Sequence, residues 1–218
     1  MHLPAPLWSE GRFLYEPLRL LYNLPSLAKA PRGSGAVMVI PGFRTSDRST
    51  APLRSWLRHL GYDAQGWGMG TNLGQVGTVM PALISRLEHI HSGPVALIGW
   101  SWGGTVAREL SRRTPDRISQ VITLGTPIQG GAVHTVFARR MSEETLRKSA
   151  AAAVRRESTP LSVPALSIYT AGDAVVAWQA SLDPQEGQTE HLEVNSCHIG
   201  LGLNPTVWLT IAQRLAGE

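Results

Sequence analysis

Apolar runs of about five residues recur along the chain, and most are followed by a segment with helical periodicity. Predominantly apolar runs, typical of strands covered on both faces of a sheet, occupy residues 36–40, 95–98, 118–124 and 165–169. Weaker strands are predicted at residues 62–67 and 192–195, and amphipathic helices at residues 49–60, 75–91, 105–113 and 204–215. This alternation predicts an α/β fold: a mostly parallel sheet of about six strands, flanked by helices and joined by right-handed crossovers.

Two segments stand outside the alternation, and the first is the N-terminal extension, residues 1–35. Between residues 10 and 27 it carries apolar residues at helical spacing, with prolines at positions 17 and 25 that interrupt the pattern. The pattern predicts a helix packed on the flank of the domain. The alternative is an apolar strip that contacts lipid surfaces.

The strand at residues 95–98 leads into a glycine-rich turn with a serine at its centre. Residues 99–103 read Gly-Trp-Ser-Trp-Gly, a G-x-S-x-G motif between a strand and a helix. A chain that reverses so sharply forces Ser101 into a sparsely populated backbone conformation. Gly99 and Gly103 then pass too close to neighbouring backbone to carry a Cβ. The pattern predicts a nucleophilic serine; an inert turn is the alternative, which partners downstream would exclude.

Those partners are an acid and a base. A serine hydroxyl reacts when a base removes its proton, and an acid must orient that base. Asp173 stands just beyond the strand at residues 165–169, and His198 follows the last predicted strand in a loop that reaches back over the serine. Other carboxylates lie farther from a strand end, and the six other histidines lie at a terminus, on helices, at a strand start or before the acid. We therefore predict a triad of Ser101, Asp173 and His198, in the chain order expected for this architecture.

Two loops border the predicted serine. The turn after the first strand, Pro41-Gly42-Phe43, leaves the Phe43 backbone N–H facing outward as an oxyanion donor. The glycine-rich loop at residues 68–74 follows a strand end, where α/β sheets bind ligands, so we expect Asn72 to contact substrate. Trp100 flanks the serine and is a second predicted substrate contact.

The motifs IPGF, GWSWGG, TLGTP, AGDAVV and CHIGL together resemble the α/β-hydrolase fold family and, more narrowly, small bacterial lipases of the Bacillus lipase A type. The likeness covers most of the chain from the first predicted strand onward and is close only at those motifs. It implies that Ser101 is the nucleophile, Asp173 the acid and His198 the base. It also implies that the N–H groups of Phe43 and Trp102 form the oxyanion hole.

The resemblance implies a serine carboxylic-ester hydrolase that acts on a small-molecule ester with an apolar acyl group and needs no metal or organic cofactor. An acyltransferase or thioesterase with the same triad is one alternative, and a binding module without catalysis is another. An intact triad argues against the binding module, because binding requires neither a triad nor an elbow. Two features depart from these lipases: the Pro-Gly dipeptide after the first strand and the bulky tryptophans beside the serine. They bear on the identity of the substrate and not on the triad.

The second segment outside the alternation, residues 128–160, leaves a strand end at the position where α/β-hydrolases accept cap insertions. It carries an apolar stripe of Val133, Val136, Phe137 and Met141, followed by a stretch that favours a helix with a basic outer face. We predict a small cap that borders the substrate pocket, with Phe137 among the pocket residues. The alternative is a helix packed against the sheet far from the site.

Composition excludes several classes of protein. A length of 218 residues suits one α/β domain, residues 1–218, and is short for two. A hydrophobic content of 43% with 17% charged residues excludes a disordered chain. The formal charge of +4 comes without a basic face interleaved with aromatics, so nucleic acid is not an expected partner. The lone cysteine, Cys197, excludes an internal disulfide framework and is predicted to be a small buried hydrophobe.

No apolar run approaches the roughly 18 residues of a transmembrane helix. The N-terminus also lacks the basic start and unbroken apolar core of a secretory signal. We therefore expect a cytoplasmic protein, with a secreted mature form as the alternative.

Overall fold

The computed structural model describes residues 2–90, 92–185 and 189–217; His91, the predicted end of one helix, lies outside them. In the described chain, six strands form one sheet in the order β2-β1-β3-β4-β5-β6, and every neighbouring pair is parallel. The strands are β1 (Ala36–Ile40), β2 (Asp63–Gly66), β3 (Val95–Trp100), β4 (Ile118–Leu124), β5 (Ala165–Tyr169) and β6 (Thr189–Glu193). The predicted fold class is confirmed.

Helices flank this sheet and follow the strands in alternation. The α-helices of the described residues are α1 (Glu16–Tyr22), α2 (Leu24–Ala28), α3 (Ala51–His59), α4 (Val76–Ile90), α5 (Trp102–Arg113), α6 (Glu143–Glu157) and α7 (Pro205–Ala216). The 3-10 helices include Leu7–Tyr15, directly before α1, and Gly131–His134 and Val136–Arg140, before α6.

The sheet separates two apolar cores. Successive side chains of a strand point to opposite faces, so Val37 and Val39 enter one core while Met38 and Ile40 enter the other. Helices α3 and α7 cover the first core, and α4 and α5 cover the second. Burial on both faces explains why the central strands read as continuous apolar runs.

Most predicted elements agree with the structure to within a few residues, and β6 shows why one does not. It spans Thr189–Glu193, whereas its apolar residues had predicted 192–195. As an edge strand it has one buried residue, Thr189, so its hydrophobic pattern is weak. Helix α5 begins at Trp102, three residues before its predicted start, because it follows Ser101 directly.

The N-terminal extension differs most from its prediction. Pro17 lies in the first turn of α1, where its missing N–H costs nothing, and therefore opens a helix instead of interrupting one. Its helices contact the domain at α7, but the apolar stripe is not the contacting face, because Leu14, Leu18 and Tyr22 are exposed by 74%, 63% and 86%. The extension instead packs through Leu20, Leu27 and two inward carboxylates described below.

Candidate active site

The turn between β3 and α5 has the strained geometry that its sequence predicts. Ser101 has φ 55° and ψ −124°, a conformation that L-residues rarely adopt. A Cβ on Gly99 would overlap the Cα of Gly104, and one on Gly103 would overlap the carbonyl oxygen of Ile40. Glycine is therefore required two residues before and two residues after the serine.

Strand β4 holds this turn in place. The Ser101 N–H donates to the carbonyl oxygen of Leu124 at 2.7 Å, and the Thr126 hydroxyl donates to the Ser101 carbonyl oxygen at 2.9 Å. Both partners lie at the carboxyl end of β4. These hydrogen bonds hold the strained backbone of Ser101 in place. A conformation of this kind persists only where the surrounding structure supports it.

Asp173 lies beyond β5 at the same edge and is 2% exposed. One carboxylate oxygen, Oδ1, accepts the N–H groups of Val175 at 2.8 Å and Val176 at 2.7 Å. The other, Oδ2, lies 2.6 Å from Nδ1 of His198. The two backbone donors fix the orientation of the carboxylate toward the imidazole.

His198 lies beyond β6 and is 5% exposed. Burial opposes its protonation, but the Asp173 carboxylate and its hydrogen bond, with the Glu10 carboxylate adding to them, raise the pKa of His198 above its ordinary value. With the proton on Nδ1 facing Asp173, Nε2 is left to accept a proton. Gly125 makes room for the pair, since a Cβ there would lie 2.9 Å from Asp173 Oδ2 and 3.1 Å from His198 Nδ1.

No hydrogen bond joins the Ser101 hydroxyl to the imidazole of His198 within the described residues. Trp100, the neighbour of Ser101, donates its indole N–H to the His198 carbonyl oxygen at 3.2 Å. In unliganded hydrolases the nucleophile–base contact is often long and tightens when substrate binds. The structure therefore contains a direct contact between Asp173 and His198, and Trp100, the neighbour of Ser101, bonds to the backbone of His198.

Glu10, which the sequence analysis did not single out, bonds to both the acid loop and the base loop. Its Oε1 accepts the N–H groups of Ala174 and His198, each at 3.0 Å, and its Oε2 accepts that of Ile199 at 3.0 Å. Glu10 thus holds the residue after Asp173, His198 itself and the residue after His198. Its signal in the sequence was only a carboxylate within an amphipathic stretch, more than 160 positions from its partners.

Further contacts of the N-terminal strap, as we call residues 2–28, bind the same loops. The Ala5 N–H donates to the Asp173 carbonyl oxygen and the Ser9 hydroxyl to that of Gly172, both at 2.8 Å. Glu16, only 1% exposed, accepts the Ser196 hydroxyl at 2.7 Å, just before the base. The inner face of the strap is therefore polar and bonded to the loops that carry Asp173 and His198.

A cavity of about 320 Å³ adjoins Ser101. Its other walls include Phe43, Leu73, Trp102, Phe137, Met141, Thr145, Val175 and Val176. The backbone N–H groups of Phe43 and Trp102 donate to no protein acceptor within the described residues, so both are free for a ligand oxygen. The cavity is predominantly apolar with a serine at its edge, which is compatible with a site for an apolar group.

The predicted pocket residues divide into those that line the cavity and those that do not. Phe137 lines it and contacts the ring of Phe43 edge-on, with 5.7 Å between centroids. Asn72 does not: its amide donates to the Pro41 carbonyl oxygen at 2.8 Å and its oxygen accepts the Gly74 N–H at 3.0 Å, so it braces the loop from within. Trp100 is also absent from the lining, because its indole is held by the base loop.

The predicted stripe of the 128–160 segment also divides. Phe137 and Met141 line the cavity beside Ser101, whereas Val133 and Val136 line a separate cleft against residues 2–7 of the strap. Helix α6 begins after Ser142, whose side chain accepts the Thr145 N–H at 3.3 Å. The segment thus borders both the serine and the strap.

Cys197 matches its prediction as a small buried residue. It is fully buried, and burial raises the pKa of its thiol to about 12. No group of three or more His, Cys, Asp or Glu side chains in the described residues is arranged to hold a metal ion. Over the same residues, no helix is both long and apolar enough to cross a membrane.

Comparisons with known proteins agree with this architecture. Residues 40–157 match the family model described as alpha/beta hydrolase fold. A curated relative, the biotin biosynthesis bifunctional protein BioHC of Teredinibacter turnerae, is 41% identical over 44 residues, which are 20% of this chain and 8% of the relative. The chain therefore matches less than a tenth of that relative's length.

Solved structures extend the likeness over most of the chain at low sequence identity. A monoacylglycerol lipase of Paleococcus ferrophilus superposes with a TM-score of 0.65 at 13% identity, over 86% of this chain and 96% of that one. The thioesterase domain from the curacin biosynthetic pathway gives a TM-score of 0.62 at 13% identity, over 87% and 92%. At such identities the likeness concerns the fold alone.

Proposed function

The chain belongs to the α/β-hydrolase fold family, and we propose that it is a serine carboxylic-ester hydrolase acting on small esters with an apolar acyl group. One observation carries the proposal. A positive-φ serine that borders an apolar cavity, a buried histidine–carboxylate pair, and two backbone N–H groups with no acceptor among the described residues all follow strand ends at one edge of the sheet. A binding module has no use for the strained serine or for the 2.6 Å contact between His198 and Asp173.

In the proposed reaction, the Ser101 hydroxyl attacks the ester carbonyl carbon while Nε2 of His198 takes its proton. Asp173 keeps the imidazole in the required tautomer and stabilises the imidazolium that forms. The N–H groups of Phe43 and Trp102 bind the oxyanion of the tetrahedral intermediate. The imidazolium then protonates the leaving alcohol, and a water molecule repeats the sequence on the acyl-enzyme to release the acid.

We assign Glu10 a positioning role in this site. It touches no reacting atom, but three backbone N–H groups on the acid and base loops converge on its carboxylate. Hydrogen bonds to a carboxylate are stronger than those between neutral groups, so one side chain fixes the separation of two loops. Its negative charge also favours the protonated imidazole.

The proposal is tested with p-nitrophenyl esters and covalent labelling. We expect a burst of p-nitrophenol equal to the enzyme concentration, and a single adduct on Ser101 when a phosphonate ester is followed by mass spectrometry of the peptides. The variant Ser101→Ala is the matched control and should show neither. Labelling at another residue would contradict the assignment, and acyl transfer to an added alcohol in preference to water would indicate an acyltransferase.

A further inference from the structure

A second concavity, which we call the arginine cleft, lies between the ends of α5 and α6, and no step of the proposed reaction uses it. Its volume is about 510 Å³, and four of the residues that line it are arginines. They are Arg112 and Arg113 in the last turn of α5, and Arg155 and Arg156 in the last turn of α6. Cations in a last turn complement the helix dipole, but that role does not require four of them around one cleft.

The carboxylates of this region are already occupied by arginines. Glu109, the only carboxylate that lines the cleft within the described residues, accepts the Nε–H group of Arg113 at 2.7 Å. Glu157 lies outside the lining, and one of its oxygens accepts from both Arg108 and Arg112 at 2.6 Å. Two arginines of the cleft are therefore paired with carboxylates, and one of those carboxylates is shared with a third arginine.

The other two arginines, Arg155 and Arg156, have no carboxylate partner among the described residues. Burial lowers the pKa of Arg156, and nearby carboxylates oppose the shift only in part. The guanidinium groups of Arg112 and Arg155 are close enough to lower that pKa further. Like charges held this close together repel one another, so a bound anion would stabilise the whole group.

The arginine cleft and the cavity beside Ser101 lie along the same helix faces. On α6, Ser149 lines the cavity, and Arg156, seven residues later, lines the cleft. On α5, Trp102 lines the cavity, and Arg113, eleven residues later, lines the cleft. Spacings of seven and eleven residues return to the same side of a helix. The cavity and the cleft are therefore neighbours along one side of both helices.

The start of α4 borders both concavities as well. Gly74 lines the cavity, and Val76 and Gly77 in the first turn of α4 line the cleft. The Gly77 N–H donates to no acceptor among the described residues, and free N–H groups at a helix start favour anions. With a rise of about 1.5 Å per residue, α5 places Arg113 roughly 16 Å from Trp102, the residue after the serine. An ester at Ser101 and an anion in the cleft can thus belong to one molecule with a chain between them.

We propose that the acyl chain of the substrate ends in an anionic group, a carboxylate or a phosphate, and that the arginine cleft binds this group. The inference rests on the proposed function and names its substrate class: an ester whose apolar chain fills the cavity and whose far end is charged. Arginine binds both kinds of anion through paired N–H groups. A concave site of this size suits a single end group at the end of a chain.

The test compares p-nitrophenyl esters that differ only at the far end of the acyl chain. The monoester of decanedioic acid ends in a carboxylate, whereas p-nitrophenyl decanoate ends in a methyl group. The double variant Arg155→Gln, Arg156→Gln should lower kcat/KM for the decanedioic monoester by about tenfold, because it removes charged hydrogen-bond donors, and should leave kcat/KM for the decanoate unchanged. The shorter monoester of hexanedioic acid should not depend on these arginines, since its chain does not reach the cleft.

The matched control is the double variant Arg140→Gln, Arg147→Gln. It removes the same charge from the same segment, but both residues are exposed and neither lines the cleft. It should hydrolyse all three esters like the unaltered chain, and thermal unfolding checks that both double variants are folded. A ten-carbon ester that ends in a phosphate distinguishes the two anions, and a dependence on Arg155 and Arg156 with either anion supports the proposal.

Binding separates this inference from the proposed function. Ser101→Ala should lack turnover, so calorimetric titration with the decanedioic monoester measures its affinity, which should fall about tenfold when Arg155→Gln and Arg156→Gln are added. Binding that depends on these arginines, without turnover of any ester by the unaltered chain, would contradict the hydrolase and leave the anion site standing. The proposal is overturned if the two double variants affect the decanedioic monoester equally, or if loss of Arg155 and Arg156 affects the charged and uncharged esters equally.

Discussion

The serine turn at residues 99–104 and the N-terminal strap meet at the same edge of the sheet, yet their conformations are encoded differently. In the turn, each conformationally restricted residue is constrained by backbone a few positions away or by an adjacent strand. Gly99, for example, is constrained by the close approach of Gly104. In the strap, Glu10 is oriented by hydrogen bonds from N–H groups more than 160 positions away. The difference shows that the conformation of the proposed nucleophile is encoded locally, while the support of the proposed base depends on the whole fold.

The largest effect is expected from a substitution that removes the reactive group of the turn and leaves the strap intact. Ser101→Ala should lower kcat for p-nitrophenyl esters by about 10⁴- to 10⁶-fold, because it removes the proposed nucleophile. His198→Ala should be similarly severe, and the Ser101→Ala, His198→Ala double variant scarcely worse than either single one, since the residues act as a unit. Thermal unfolding provides the folding control. Turnover by Ser101→Ala within about tenfold of the unaltered chain would contradict the mechanism.

The next effect tests whether the turn is as local as its geometry indicates. Gly99→Ala places a methyl group on the Cα of Gly104, and overpacking against backbone costs about 1–3 kcal/mol or more in the free energy of unfolding. Gly77→Ala is the matched control: Gly77 lies in α4 with nothing within 4 Å of the place that a Cβ would occupy, and alanine there should stabilise by about 0.5–1 kcal/mol. Denaturant unfolding of both variants measures the difference. Equal effects would show that the close approach is not a constraint.

The same contrast explains which parts of the molecule the sequence could predict. Ser101, Asp173 and His198 each follow a strand end, and the strands are visible as apolar runs, so their convergence follows from a parallel sheet. The predicted bounds of strand β6 differ from the observed ones because an edge strand needs no continuous apolar run. Asn72 was assigned to the pocket by its loop, and no local pattern reveals that its amide points inward to Pro41.

The strap was the least predictable region for a physical reason. Apolar residues at helical spacing normally mark the buried face, and Leu14, Leu18 and Tyr22 satisfy that pattern while facing outward. The inward face is defined instead by Glu10 and Glu16, residue types that are rarely buried without partners. Their partners lie on loops near the other end of the chain, so only the assembled sheet identifies them.

A smaller effect is expected when the strap loses its charge at Glu10. The Glu10→Gln variant replaces a carboxylate that accepts three N–H groups with an amide that can accept through one oxygen only, so plateau kcat/KM should fall by about tenfold, or about 1.4 kcal/mol. His198 must be neutral to accept the serine proton, so kcat/KM rises with pH through its pKa, which lies above the ordinary value of about 6.5. Removing a negative charge lowers that pKa, and the rising limb should move to lower pH.

Two further variants separate positioning from stability. Glu10→Asp keeps the charge. The rising part of the pH profile of kcat/KM should therefore return toward its original pH, while kcat/KM at the plateau stays reduced. Glu16→Gln removes the other inward carboxylate, which bonds to Ser196 and Asn204 and not to the base, and should lower stability without moving the limb. If the pH at which kcat/KM rises is unchanged in Glu10→Gln, the role of Glu10 is purely structural.

The smallest effect concerns the 128–160 segment, which contacts both regions. Phe137 lines the cavity beside Ser101 and packs edge-on against Phe43, whose N–H is a proposed oxyanion donor, while Val136 faces the strap. Phe137→Ala should therefore change the ratio of kcat/KM on long- and short-chain p-nitrophenyl esters several-fold, and Val136→Ala should leave that ratio unchanged. Because Phe137 is 37% exposed, unfolding free energy should fall by less than the ~3–5 kcal/mol of a fully buried phenylalanine. A large loss of stability with an unchanged ratio would mean that the segment supports the sheet and does not select the acyl chain.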